Sequence, residues 1–449
     1  MAERLPRVFG RAPRIALLVY NQVSTDNRVL KTAATLRDAG ADVLIVGSAR
    51  PGYPAGAALG GDGLAIHRAS DFDLVRLLPW LATFVRRVRG DARAPTPEGS
   101  KETNAAPPSS NRPTAKGASI VSVAGDLWMR LYQVVRLVWF WAGAVRHLRG
   151  WRPDVVHAND GNTLAPAMLL KTVAGSRFVY DAHELWTRRN VRSDRMLAPL
   201  VEAVTERLGV RASAGVITVS PSIVAWMKRR FRLRTAPTLV RNIPHRRGPV
   251  PERQQGRLRE LAGLPASARV VGYCGGVTTG RGLEETLQAL AELDAGTHLV
   301  MLGYGDPAYV TRLLDQARAL GLGERVHLVG PVPGPEVPEA LADADVSVVY
   351  VRPICLSYRY SLPNKLFESI HGGLPVVAAD LPDTAAIVQE YDVGEVFGAD
   401  RPDQLAAAIE RVSADADRYR AAARAAADEL DWSHEAAELV ALYTRVLDR

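Results

Sequence analysis

Short, unbroken apolar runs recur along the chain, each followed by a stretch with helical periodicity, and this alternation restricts the fold more than any other feature. RIALLVY (14–20), ADVLIVGS (41–48), PDVVHAND (153–160), RFVYDAHE (177–184) and GVITVS (215–220) mark the first half. RVVGYCG (269–275), THLVMLG (297–303), RVHLVG (325–330), VSVVYV (346–351) and PVVAA (375–379) mark the second. A strand that is apolar on both sides must be covered on both sides, and helices between such strands give parallel pairing with right-handed crossovers. The pattern predicts an α/β protein built from doubly wound parallel sheets. DNRVLKTAATLRDAG (26–40) shows how one helix is bounded, with Asp26 as N-cap and Gly40 at the stop. A length of 449 residues exceeds what one core organises well, so two domains are expected.

The join between them is expected in the Pro- and Arg-rich IPHRRGPVPERQQG (243–256). This gives an N-terminal domain over 1–245, a C-terminal domain over 246–433, and a last helix over 434–449 that returns to the first domain. Within the first domain, 90–117 is rich in Pro, Ala, Ser and charge, a composition that predicts disorder. The segment 126–151 carries four of the chain's eight tryptophans, with Arg130, Arg136, Arg146 and Arg149 among them. Arg136 interrupts its apolar run, which argues against a bilayer span and for an interfacial helix, aromatic on one side and basic on the other. The plainer alternative is a helix hairpin, with DLVRLLPWLATFVRRVR (73–89) as its other arm, packed on the domain's own sheet.

Charge separates the two halves. Residues 1–250 hold 38 Lys/Arg against 18 Asp/Glu, or +20, while 251–449 hold 18 against 30, or −12, giving the overall +8. A first half so basic is expected to meet something anionic. The chain has no zinc-finger spacing, RNA-binding signature or basic recognition helix, so nucleic acid is not expected. An anionic membrane surface fits the tryptophan-rich segment better. No secretory leader is read from the N-terminal residues. Cys274 and Cys355 give neither a disulfide framework nor a metal cluster, which fits a reducing cytoplasm.

In open parallel sheets, ligands bind outside the carboxyl ends of the strands, so the loops after each strand matter most. After RVVGYCG, Gly275, Gly276, Gly280 and Gly282 permit close backbone approach, and Arg281 stands at the next helix's start. Backbone N–H groups with a guanidinium suit a phosphate; the same glycines would also serve an ordinary turn. Gly303 and Gly305 form a second tight turn after THLVMLG. In SLPNKLFES, Leu362 and Pro363 precede a helix that Asn364 or Ser361 is expected to cap, and Lys365 adds charge to its free N–H groups. Glu368 suits the two hydroxyls of a diol such as ribose. The plainer alternative is a Lys365–Glu368 surface pair worth roughly 0.2–0.5 kcal/mol. Two loops of one domain, each with a helix start and a basic residue, match what a diphosphate requires.

These residues resemble the retaining glycosyltransferases of family 4 (glycosyl transferases group 1), in a subfamily with an LPNKLFE-type signature helix. The resemblance covers most of the chain outside 90–150. GYCGGVTTGRGLEETLQAL resembles the family's diphosphate-binding loop, with Arg281 where Lys is usual. VHLVGPVPGPEVPEALADADVSVVYVRP resembles its base-binding region, and SLPNKLFESIHGGLPVVAAD its signature helix. VYDAHE resembles the first-domain loop whose histidine, here His183, lies beside the transferred sugar. VYNQVSTDNRVLKTAATLRDAG resembles the N-terminal loop and helix that face donor and acceptor.

The resemblance implies the GT-B fold, two Rossmann-like domains facing across a cleft, with the acceptor on the N-terminal domain and a nucleotide-sugar donor on the C-terminal one. It implies donor contacts from Gly275, Gly276, Arg281, Gly282, Gly303, Tyr360, Ser361, Leu362, Pro363, Asn364, Lys365 and Glu368, with Glu368 on the ribose. His183, Arg281 and Lys365 would carry catalysis. Gln22, Asp26, Arg28 and Asp160 would lie on the acceptor side, with His157 near them, and Asp181 and Glu184 would flank His183. Two departures stand out. Tyr360 occupies the place of a frequent glutamate eight residues before Glu368, and Gly276 that of a frequent arginine five residues before Arg281. Lys365 is expected to supply the missing cation.

The expected reaction is transfer of a sugar from a nucleotide diphosphate to a glycan, lipid-linked or other acceptor, with retention, in cell-envelope or exopolysaccharide biosynthesis. No cofactor and no metal are expected, since no Asp-x-Asp pair stands in a suitable loop; the nucleotide sugar is a substrate. The expected location is the cytoplasm, peripheral on the inner membrane face. The weighed alternatives are a nucleotide-sugar epimerase of the same fold and a non-catalytic nucleotide-sugar or membrane-binding scaffold.

Overall fold

The structure is a computed structural model that describes residues 4–73, 120–191, 198–246, 248–253 and 256–448. The segment 90–117, expected to be disordered, lies outside the described residues. The chain divides into two compact units, one over Arg7–Ala106 and Asn111–Phe178 and the other mainly Val179–Arg449.

The first eight strands are β1 (Arg14–Leu18), β2 (Asp42–Ser48), β3 (Gly56–Leu59), β4 (Ala65–Ala69), β5 (Val155–Asn159), β6 (Arg177–Ala182), β7 (Gly215–Thr218) and β8 (Thr238–Leu239). The remaining six are β9 (Arg269–Cys274), β10 (Thr297–Leu302), β11 (Val326–Leu328), β12 (Val346–Val349), β13 (Val376–Ala379) and β14 (Gly394–Phe397). Hydrogen bonding orders the first sheet β3-β4-β2-β1-β5-β6-β7-β8 and the second β11-β10-β9-β12-β13-β14. The pairings described are parallel except β3 with β4, which run antiparallel. The parallel sheets expected of a doubly wound plan are present, with this one antiparallel pair added at an edge. β3, GAAL, is too short and too poor in branched residues to read as a strand.

The helices that bear on function are α1 (Asn27–Asp38), α2 (Ile120–Trp151), α3 (Leu164–Ala174), α4 (Ala198–Ala212), α5 (Pro221–Phe231), α6 (Leu283–Glu292), α7 (Leu356–Arg359), α8 (Asn364–His371), α9 (Pro382–Glu390) and α10 (Trp432–Leu447). Asp26 caps α1 by accepting from the Val29 N–H at 3.2 Å. In the second sheet, β9 sends alternate side chains to opposite faces, as the two-residue period of a strand requires. Val271 and Tyr273 join a core with Leu283, Leu287 and Leu299. Val270 and Cys274 join another with Leu258, Val300 and Leu341. Leu366, Phe367 and Ile370 bury the apolar face of α8 against Val376 and Ala423. Helix α10 packs on β8, its Glu435 accepting from the Arg241 backbone at 2.6 Å and side chain at 2.8 Å.

In the first unit, α2 is a single 32-residue helix. Phe140, Ala144, Val145 and Leu148 are buried, while Trp128, Met129, Leu131, Val134, Val138 and Trp139 are exposed. Arg136 is not part of an outer basic face: its Nε donates to Asp71 at 2.9 Å. Arg146 and Arg149 are exposed. An open groove of about 710 Å³ is lined by Val138, Trp141, Val145, Arg146, Arg149 and Leu169 among others. Among the described residues, no helix is long and apolar enough to cross a membrane.

Candidate active site

The site is built where β9, β10 and β12 end. After β9 the chain turns through Gly275 at φ +119°. The Gly275 N–H donates to Leu302 O at 3.0 Å and the Val277 N–H to Tyr304 O at 2.7 Å. The two glycine loops thus lie flat against each other. A Cβ on Gly303 would stand 2.0 Å from Gly275 O, and one on Gly305 would stand 2.1 Å from Val277 O. Gly282 needs its hydrogen for two reasons, a φ of +68° and the Tyr350 ring 2.0 Å from where a Cβ would sit. Gly276 differs: nothing lies within 4 Å of its would-be Cβ.

Lys365 is buried, 7% exposed, which excludes the reading of a surface Lys–Glu pair. Its Nζ donates to Tyr350 O at 3.3 Å and sits 4.0 Å from the centre of the Tyr273 ring. Burial, with the neighbouring positive charge of Arg281, pushes the ammonium down to about 7. Cys274 and Glu368 act in the opposite direction and do not cancel the burial, so further negative charge would favour the ammonium. The Arg281 guanidinium stacks over the Tyr358 ring at 5.3 Å. Glu368, on the same helix as Lys365, accepts from Cys274 Sγ at 3.3 Å. Burial and Glu368 raise the Cys274 thiol well above its usual range, so it remains a neutral donor. The structure therefore brings Arg281, Lys365, Glu368 and the glycine loop together.

The start of α8 differs from expectation. Pro363 occupies the N-cap and no side chain caps the helix. Ser361 instead donates to Tyr358 O at 2.8 Å, and Asn364 is exposed. Proline has no N–H and fixes its own φ, so it starts the helix and leaves the following N–H groups uncapped. Leu362 is buried beside it. Tyr360 is half-buried, and its carbonyl accepts from Ser220 Oγ at 2.7 Å.

His183 follows β6. Its Nε2 lies 3.5 Å from Oδ2 of the buried Asp181. Farther along the same loop, Thr187 Oγ1 donates at 2.9 Å to Glu206, a buried carboxylate of α4 whose burial raises its pKa. Glu184 accepts from Ser357 Oγ at 3.4 Å.

The residues expected on the acceptor side belong to the other compact unit. Asp26 accepts from Asn21 Nδ2 at 2.8 Å, and Gln22 O accepts from Arg68 Nε at 3.1 Å. Gln22 and Arg28 are buried, and His157 is wholly buried within β5. Val23 holds φ +77°, a genuine outlier for a β-branched residue, with its N–H on Asn21 Oδ1 at 2.7 Å. Asp160, just past β5, holds φ +61° and ψ +168°. β1 and β5 are neighbours, pairing Leu18 with Ala158, so both strained residues follow the carboxyl ends of adjacent strands.

Sequence reasoning missed Tyr273, Tyr350, Ser357, Tyr358 and Glu206. The aromatic residue next to Cys274 was the one visible signal; the others acquire meaning only through contacts between distant segments.

Two sequence models match the chain. Glycosyl transferases group 1 matches residues 268–415, and Glycosyltransferase Family 4 matches residues 96–244. D-inositol 3-phosphate glycosyltransferase of Thermobispora bispora is 30% identical over 204 residues, 42% of this chain and 46% of that protein. The chain thus spans less than half of that relative's length. Sucrose-phosphate synthase from Thermosynechococcus elongatus superposes with a TM-score of 0.69 at 17% identity, covering 96% of this chain and 98% of that one. Anabaena HepE in complex with UDP-glucose superposes with a TM-score of 0.63 at 16% identity, covering 95% and 98%. With its two parallel-sheet halves, its glycine loops and both of these sequence matches, the chain belongs to the group 1, family 4 glycosyltransferases of GT-B fold.

Proposed function

We propose that the chain is a retaining glycosyltransferase. It moves a sugar from a nucleoside-diphosphate donor to a hydroxyl of a glycan, lipid-linked or other acceptor, in cell-envelope or exopolysaccharide synthesis. The observation that carries this reading is the buried Lys365, held near neutrality beside Arg281 and one helical turn from Glu368. A diphosphate supplies negative charge beyond that of Glu368 beside Lys365 and Arg281, and a ribose supplies the diol for Glu368. The UDP-glucose in the Anabaena neighbour and the name of the Thermobispora relative support the same chemistry.

In this reaction the bond from the anomeric carbon to the β-phosphate oxygen breaks, and its electron pair leaves with the diphosphate. The acceptor oxygen attacks the same face, and its proton passes to the departing phosphate oxygen. Arg281, Lys365 and the uncapped N–H groups of α8 meet the growing negative charge. His183, held by Asp181, orients the sugar. The exposed apolar face of α2, with Arg146 and Arg149 near its C-terminal end, rests the first unit on an anionic membrane where lipid-linked acceptors lie.

The test is a thermal-shift panel of UDP, GDP, TDP and ADP sugars, followed by NMR of the product's anomeric centre. A donor at 100 times its Kd stabilises the native state by about 2.7 kcal/mol, a readily measured shift. The reading fails if no nucleoside diphosphate raises the melting temperature, or if the product is inverted.

A further inference from the structure

Helix α7 is a single turn, yet it touches both loops of the site. Ser357 is 2% exposed. Its Oγ accepts from the Leu185 N–H at 3.2 Å and donates to Glu184 Oε2 at 3.4 Å, which ties it to the loop that carries His183. The next residue, Tyr358, lies under the Arg281 guanidinium at 5.3 Å. Its ring also stands 3.2 Å from where a Cβ on Gly280 would be, so it supports the glycine loop from below. Successive helical residues point about 100° apart, so two neighbours reach two different loops.

The turn itself is held firmly. Cys355 Sγ accepts from the Tyr358 N–H at 3.4 Å. Ser361 Oγ donates to Tyr358 O at 2.8 Å, Ser220 Oγ to Tyr360 O at 2.7 Å, and Thr384 Oγ1 to Ser361 O at 3.3 Å. Asp383, on α9, accepts from the Ser222 N–H at 3.2 Å and from its hydroxyl at 3.0 Å, which fixes the start of α5. The bonds to Tyr360 O and Ser361 O engage backbone atoms of residues expected at the donor, and their partners Ser220 and Thr384 lie outside that set. Together these bonds define a rigid strap between the end of β12 and the start of α8.

We propose that this strap couples the two sides of the reaction. Ser357 is the positioning residue for the His183 loop, and Tyr358 is the positioning residue for Arg281. The inference rests on the glycosyltransferase reading above. It adds that His183 and Arg281 are set by one turn of helix and not by two independent loops.

The separation of effects tests it. Full-length variants are titrated with UDP by calorimetry, and kcat and KM are measured for hydrolysis or transfer of UDP-glucose; the GDP pair replaces these if GDP gives the larger wild-type thermal shift. Ser357→Ala is expected to leave the nucleotide Kd within about 2-fold and to lower kcat by at least about 10-fold, because the loop that orients the sugar loses its anchor. Ser357→Thr keeps a hydroxyl and is expected to recover part of kcat. Tyr358→Phe keeps the ring and leaves both constants near wild type, while Tyr358→Ala weakens UDP binding by roughly 3- to 10-fold through the lost cation–ring contact. The inference is overturned if Ser357→Ala keeps wild-type kcat, or if its kcat falls while its Kd rises in step and Ser357→Thr recovers neither. Failure of the wild-type protein to bind any nucleoside diphosphate would overturn the glycosyltransferase reading instead. Wild-type binding and turnover matched by Ser357→Ala would overturn this inference alone.

Discussion

Raising the pH from 7 to 9 strips the charge from Lys365 unless a diphosphate is already beside it. In the free protein its ammonium is held at about 7, by burial first and by Arg281 second. A bound diphosphate offsets both causes with its own negative charge and returns the group toward its ordinary value near 10.5. Binding above pH 7 must then take up a proton. At pH 8 about nine-tenths of free Lys365 is neutral, so uptake approaches ~0.9 proton per donor. Across pH 7 to 9 the apparent affinity should fall by roughly 50-fold, or about 2.3 kcal/mol. The assay is calorimetry with an intact sugar nucleotide, whose diphosphate does not titrate in this window, in buffers of different ionisation enthalpy. Lys365→Met should bind more weakly at pH 7 and lose the slope. A flat wild-type profile, or an equal slope in Lys365→Met, would refute the reasoning.

The same shift acts on folding with a definite sign. The folded value lies below the unfolded one, so between pH 7 and 10.5 the unfolded chain binds more protons and stability rises with pH. The cost is fully present below about pH 7, and Lys365→Met should raise stability there by at most about 5 kcal/mol; denaturant melts at pH 6.5 check it.

Three further outcomes are expected. Gly303→Ala drives a Cβ into the Gly275 carbonyl, so the melting temperature should drop by the equivalent of roughly 1–3 kcal/mol and donor binding should weaken, as thermal melts and calorimetry will show. Gly276→Arg fits open space and restores the cation common in the family; in a Lys365→Ala background it should recover donor affinity by about 10-fold, within the range of one charge-assisted hydrogen bond. Arg146→Glu with Arg149→Glu should reduce co-sedimentation with phosphatidylglycerol vesicles while leaving hydrolysis of a soluble donor unchanged, and no change in sedimentation would remove the membrane from the proposed function.

The doubly wound plan was legible because buried parallel strands carry a continuous apolar signal, as in RIALLVY and VSVVYV. Strands β3 and β14, GAAL and GEVF, were not, because four residues with glycine among them carry no period. The pairing of glycine loop and α8 could be read from the two charged helix starts. That Lys365 is buried could not, since a lysine beside a glutamate looks the same in a solvated pair. The bond between Cys274 and Glu368 joins residues 94 positions apart, and Ser357 is hidden in an unremarkable CLSYRYSL. Such residues take their roles from tertiary contacts that no local spacing encodes.

Val23 and Asp160 keep left-handed backbones just beyond two neighbouring strands. Conformations of this kind cost on the order of 1–3 kcal/mol each and persist only where the surroundings enforce them. An acceptor at the place the family resemblance implies would therefore meet a stiff mould and not an adaptable one. Broadening the range of molecules this mould accepts would begin with Val23→Gly or Asp160→Gly, which release that tension, before any change to the groups that touch the guest.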